Sequence, residues 1–142
     1  MGHLMTSTLI DTNILIDVLE RRQPHLEWVR RAFNALAAEG ALTINQVIYG
    51  EASVPYQSSE KFDAVLDGGW VKREDVPWEA AFRAGKAFES YRRKGGAKLN
   101  TLPDFLIGAH AAVKGYRILT RDAARFRSYF PEVEIIAPDT HP

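Results

Sequence analysis

The sequence predicts an α/β fold in which helices cover a mostly parallel sheet, and three observations carry that prediction. Short apolar strands alternate with amphipathic helical segments along the 142 residues, the pattern of successive βα units. The strand runs, Leu9-Ile10 and Leu42-Thr43-Ile44 among them, read as short buried strands. A carboxylate, a hydroxyl and an amide, Asp11-Thr12-Asn13, stand directly after the first run. Open parallel sheets place their ligands at such strand-to-helix junctions.

Residues 8–10 form the first strand, and Asn13-Ile14-Leu15-Ile16 begins a helix. Residues 24–39 keep Leu26, Val29, Phe33 and Leu36 on one helical face, with Gly40 as the stop. Residues 41–44 make a strand, after which Asn45 is placed to cap a helix carrying Val47, Ile48 and Glu51. Residues 58–67 read as another helix, ended by Gly68-Gly69. Pro77 suits the first turn of a long helix in which Trp78, Ala81, Phe82, Gly85, Phe88 and Tyr91 keep helical spacing up to Gly95-Gly96. Pro103 opens a helix over 104–114, closed by Gly115. Residues 116–120 follow as a strand, 122–129 as a short helix and 133–136 as the last strand. Residues 6–142 are expected to form one domain, with 1–5 set aside and Met5 a candidate natural start.

Hydrophobic residues make up 46% and charged residues 25%, an ordinary globular balance that argues against disorder. The absence of cysteine removes disulfides, thiolate zinc sites and cysteine nucleophiles, and suits a reducing cytoplasm. No apolar run is long enough to cross a membrane, and the first residues lack the segments of a signal peptide. A cytoplasmic location is therefore expected. With a formal net charge of zero, a polyanion has to be held by a local basic patch rather than by the global field.

Glu51, Asp104 and Asp122 also stand beside apolar helices or strands. Acids at element ends, if they converge, make a site for a hard cation. Close carboxylates repel, and a divalent ion removes the conflict. Plainer roles exist for each. Asp11 and Asp122 can cap the helices that follow them, Asp104 suits a helix dipole, and Glu51 can sit in solvent. Asp17 is expected at the surface or in support of the site. His110 is expected to be a satisfied helix histidine rather than a metal ligand.

Leu9-Ile10-Asp11-Thr12-Asn13, Glu51 on a helix after a strand, Asp104 at a helix start, and Leu119-Thr120-Arg121-Asp122 with Phe126 together resemble PIN domains. The resemblance is nearest to the VapC toxins of bacterial toxin–antitoxin pairs, and it runs from Leu9 to the last strand. It implies a three-layer α/β/α sandwich with a mostly parallel central sheet. It also implies an endoribonuclease using one or two Mg²⁺ or Mn²⁺ ions, with Asp11, Glu51, Asp104 and Asp122 as catalytic metal ligands. Thr12, Asn13 and Thr120 become polar support, and the implied partners are RNA, a VapB-like antitoxin and a second copy of the chain. Asn45 departs from the pattern, standing where many relatives have Ser or Thr, with the same capping work expected of it. Glu51, on a longer side chain, suits either metal contact through water or orientation of the attacking water.

Arg92, Arg93, Lys94 and Lys98 surround Gly95-Gly96 with no intervening acid, an arrangement suited to RNA phosphates. Arg121 and Arg125 bracket Asp122 and are further RNA candidates, the alternative being that one of them pairs with an acid. Two rivals stand beside this reading. An aspartate-nucleophile phosphohydrolase is weakened because Asn13 occupies the place of its usual second acid. A degenerate PIN module would bind RNA or a protein without catalysis.

Overall fold

The computed structural model describes residues 6–97 and 101–142. In chain order its elements are β1 (Thr8–Ile10), α1 (Thr12–Glu20), α2 (Leu26–Ala37), β2 (Leu42–Ile44), α3 (Gln46–Ser53), α4 (Ser59–Leu66), β3 (Lys72–Arg73), α5 (Trp78–Arg93), α6 (Leu102–Lys114), β4 (Arg117–Leu119), α7 (Ala124–Arg127) and β5 (Ile135–Ile136). Every strand pairing among the described residues is parallel, in the order β3-β2-β1-β4-β5. The arrangement is an α/β/α sandwich.

β1 lies at the centre of the sheet because its three residues tolerate no water. Thr8, Leu9 and Ile10 are all fully buried, as are Ile44, Ile118 and Leu119 on its neighbours. Leu9 sits opposite Thr43 on one side and Ile118 on the other. The chain runs outward from β1 to β2 and β3, then returns to add β4 and β5 on the opposite side. The strand order thus reverses between β1 and β4. Loops leaving the carboxyl ends of those two strands diverge there, which opens a crevice at the edge of the sheet.

Local signals set the helix ends. The Asn45 side chain accepts from the Ile48 amide at 3.1 Å and caps α3, and Ser58 caps α4 through the Lys61 amide. Pro77 stands at the cap of α5 rather than inside its first turn. Gly115 closes α6 at a φ of 70°, in the left-handed region that glycine enters without strain. Within α6, Gly108 lies against Phe130 so closely that a Cβ would stand 2.3 Å from the ring.

β3 is the element the sequence pattern does not reveal. Lys72 and Arg73 are charged and exposed, so they carry no apolar signal. They become a strand only by pairing with the edge of β2, Thr43 opposite Lys72 and Ile44 opposite Arg73. The last strand is also shorter than 133–136, because only Ile135 and Ile136 lie alongside β4. His110 is buried on α6 and satisfied, as expected. Its Nδ1 accepts from Asn45 Nδ2 at 3.0 Å and its Nε2 faces Glu74 Oε2 at 2.7 Å. The Tyr116 hydroxyl donates to the other Glu74 oxygen at 2.7 Å. Among the described residues no helix is long and apolar enough to cross a membrane.

Candidate active site

Asp11 lies buried under the floor of the crevice, behind Arg125. Its backbone leaves β1 in an extended conformation and caps α1, and its amide donates to the Leu119 carbonyl at 2.9 Å. This ties the end of β1 to the end of β4. Asp11 is fully buried. One carboxylate oxygen accepts from the Thr12 amide at 2.7 Å. The other accepts from Thr120 Oγ1 at 2.7 Å and from Arg125 Nη1 at 2.9 Å. Burial pushes the carboxyl above its ordinary range, and the Arg125 charge with the Thr120 and Thr12 hydrogen bonds only partly offsets it.

The other acids reach the same crevice from three further elements. Asp104, in the first turn of α6 behind Pro103, accepts from Arg125 Nη2. Arg125 therefore bridges two carboxylates, one under the floor and one on the wall. Glu51, exposed on α3, accepts from Thr12 Oγ1 at 2.6 Å, so Thr12 links the β1 loop to α3. Asp122 is exposed, and its amide donates to Thr120 Oγ1 at 3.0 Å. Glu51, Asp104, Asp122 and Arg125 line one cavity of about 510 Å³ together with Tyr91 and Tyr129. Burial works against the charge of Arg125. The hydrogen bond to Asp104 and the charges of Asp11, Asp104 and Asp122 outweigh it and hold its pKa above the ordinary value.

The remaining polar and basic candidates divide. Asn13 accepts the Arg121 amide at 3.4 Å. Arg121 itself turns inward, its Nε 2.6 Å from Asp17 Oδ2 and its Nη2 3.4 Å from Oδ1. Asp17 is 1% exposed, so it is no surface residue: it anchors Arg121 and clasps α1 to the loop after β4. Arg92 and Arg93 lie exposed in the last turn of α5, Arg93 3.2 Å from Glu89. The Lys94 ammonium stands 5.6 Å over the ring of Tyr129, which places it at the cavity's border. Lys98 lies outside the described residues. The sequence leaves open which acid pairs with Arg121 or Arg125; the bridge from Arg125 to both Asp11 and Asp104 and the Asp17–Arg121 clasp are visible only in the fold. The three-residue step from Asp122 to Arg125 is the one local hint of the former.

Residues 8–129 match the family model described as PIN domain. The chain belongs to the PIN domain family. No curated protein sequence matches it significantly. Among solved structures, this PIN domain is similar to a chain of VapBC2 from Rickettsia felis bound to a promoter DNA fragment, with a TM-score of 0.72 and 18% identity over 93% of this chain and 98% of the other. A chain of DNA-bound VapBC from Salmonella typhimurium gives 0.71 and 23%, covering 94% and 98%. A chain of FitAcB from Neisseria gonorrhoeae gives 0.65 and 19%, covering 95% and 99%. At these identities the likeness is one of fold. PIN nucleases are generally metal-dependent ribonucleases, and PIN domains typically use divalent ions.

The residues of this PIN domain suit such an ion. The donors are carboxylate oxygens, the hard ligands that Mg²⁺ and Mn²⁺ prefer, and a cation already lies between two of them, the Arg125 guanidinium. In the arrangement described, no group of three or more acids or histidines among the described residues is gathered closely enough to hold an ion. Glu51 is turned to Thr12, and Arg125 separates Asp11 from Asp104.

Proposed function

We propose that this chain is a Mg²⁺- or Mn²⁺-dependent endoribonuclease, the VapC-like toxin of a toxin–antitoxin pair, acting in the cytoplasm. The observation that carries the reading is that Glu51, Asp104 and Asp122 line one cavity at the switch point of the sheet, and that Arg125 on its wall also pairs with the buried Asp11 behind it. Asp11 and Asp104 would hold the ion, with Asp122 and Glu51 completing its surroundings. The chemistry an ion held by these carboxylates would supply is polarisation of a phosphoryl oxygen and a source of hydroxide near neutral pH.

The chain's own residues supply the rest. Thr12 and Thr120 hold Asp11 in one orientation, so its carboxylate needs no rearrangement to act as a ligand. Glu51 reaches over the crevice from α3, its carboxylate steadied by Thr12, and serves as the base that orients the attacking water. Arg92, Arg93 and Lys94 offer contacts to the RNA backbone beside the cleft. A VapB-like antitoxin and a second copy of the chain are its protein partners in this reading. The solved VapBC structures it resembles, including those bound to DNA, support the antitoxin.

One observation favours a second reading. Arg125 already pairs with both Asp11 and Asp104, so a PIN module with permanently paired acids would bind RNA or protein without cutting. Antitoxin-free protein incubated with cellular RNA in Mg²⁺, Mn²⁺ or EDTA, beside Asp11→Asn, separates the two. Discrete products that need both metal and Asp11 support the nuclease. Folded protein that cuts under neither metal leaves the binding module.

A further inference from the structure

We propose that Arg125 is the resident cation of the acidic site, competing directly with a divalent ion for Asp11 and Asp104 and swinging out when the ion is taken up. The inference rests on the reading of this crevice as a metal centre.

Three observations support it. First, Asp11 is fully buried, with Arg125 standing between it and the cavity. The Thr12 amide and the Thr120 hydroxyl cover it on the protein side, and Arg125 Nη1 occupies the approach from the cavity. Second, the guanidinium does not sit as a fork on one carboxylate, the usual geometry of such pairs. It spends one Nη on Asp11 and the other on Asp104, so it fills the space where an ion shared by both would lie. Third, Arg125 belongs to α7, a helix of four residues, and its side chain is 26% exposed at the wall of a cavity of about 510 Å³. The path outward is open.

Arginine does not lose its proton in a protein, so it cannot yield to an incoming cation by becoming neutral. Two positive charges at contact distance repel. The only way both carboxylates can serve an ion is for Arg125 to move. The metal-free protein thereby keeps its buried acid paired, at the expense of affinity for the ion. If the outward conformer makes up roughly 10% of the molecules, apparent affinity is lowered about tenfold. Displacement also turns five donors toward the cleft, where phosphate oxygens of a bound RNA would lie.

The test is titration of the whole metal-free chain with Mn²⁺, the free ion being read from its paramagnetic resonance signal. Arg125→Met is expected to tighten binding about tenfold. Arg125→Lys is expected to tighten it less, since an ammonium keeps the positive charge in the site but spans the two carboxylates poorly. Adding Asp11→Asn to Arg125→Met should abolish the gain. Unchanged or weaker Mn²⁺ binding by folded Arg125→Met overturns the inference. Should Arg125→Met not fold, Arg125→Lys against the unsubstituted chain decides by the same criterion. Equal binding by all forms removes the role of Arg125 and leaves the metal centre standing. Binding by none of them removes both.

Discussion

Thr120→Val isolates the support beneath Asp11. Thr120 is fully buried, and its hydroxyl donates to Asp11 Oδ2 at 2.7 Å while accepting the Asp122 amide at 3.0 Å. Valine keeps the shape and removes the donor. A hydrogen bond to an ionised partner contributes about 1.5–3 kcal/mol, and the Asp122 amide is near enough to solvent to find water. The expected loss is about 2 kcal/mol, or roughly 6 °C in Tm for a chain of this size. Urea unfolding in EDTA at pH 7.5 measures it. In an Asp11→Asn background the same change removes only a neutral hydrogen bond, worth about 1 kcal/mol, so the two substitutions should couple by about 1 kcal/mol.

The pH dependence has a definite sign. The folded Asp11 carboxyl takes up its proton at higher pH than its unfolded reference of 3.8. Its ionisation therefore opposes folding, absent below 3.8 and complete once pH has passed the raised folded value. Removing the Thr120 donor raises that value further, so the loss in Thr120→Val should grow as pH rises from below 3.8 through the folded value. Additivity of the two substitutions within about 0.5 kcal/mol, or a loss independent of pH, would refute the account of how Asp11 is held.

Further expectations concern the scaffold and the RNA surface. Glu74 is held below its reference of 4.5, its burial outweighed by hydrogen bonds from His110 and Tyr116; its contribution is present above 4.5 and lost as pH falls through the depressed folded value. Glu74→Gln should thus lose about 1–2 kcal/mol at pH 7, and in urea unfolding the gap should narrow below 4.5. Gly108→Ala forces a Cβ to 2.3 Å from the buried Phe130 ring. Overpacking of about 1–3 kcal/mol exceeds the ~1 kcal/mol helix gain, so its thermal midpoint should fall rather than rise. Replacing Arg92, Arg93 and Lys94 together with Gln should flatten the salt dependence of single-stranded RNA binding by about 0.7 in slope for each phosphate no longer neutralised. Fluorescence anisotropy of the Asp11→Asn protein across salt concentrations reads this, and an unchanged slope would take the RNA surface elsewhere.

Much of this protein is legible in its sequence because the signals are local. Asn45 and Ser58 cap helices from within three residues, and the apolar run of β1 demands burial whatever surrounds it. The motifs around Asp11, Glu51, Asp104 and Asp122 are likewise readable without coordinates, as is their place at element ends. Tertiary structure decided what those acids meet. Arg125 lies 114 positions from Asp11 in the chain, and Arg121 lies 104 from Asp17. Those pairs form only because β4 packs directly beside β1 rather than beyond β2. Strand order is settled by how all the apolar faces are buried at once, and no window of neighbouring residues contains it. The same holds for β3, whose Lys72 and Arg73 are strand residues solely because the edge of β2 offers unpaired backbone groups. The sequence by itself determined which chemistry the crevice could host. The fold determined which cation stands in it.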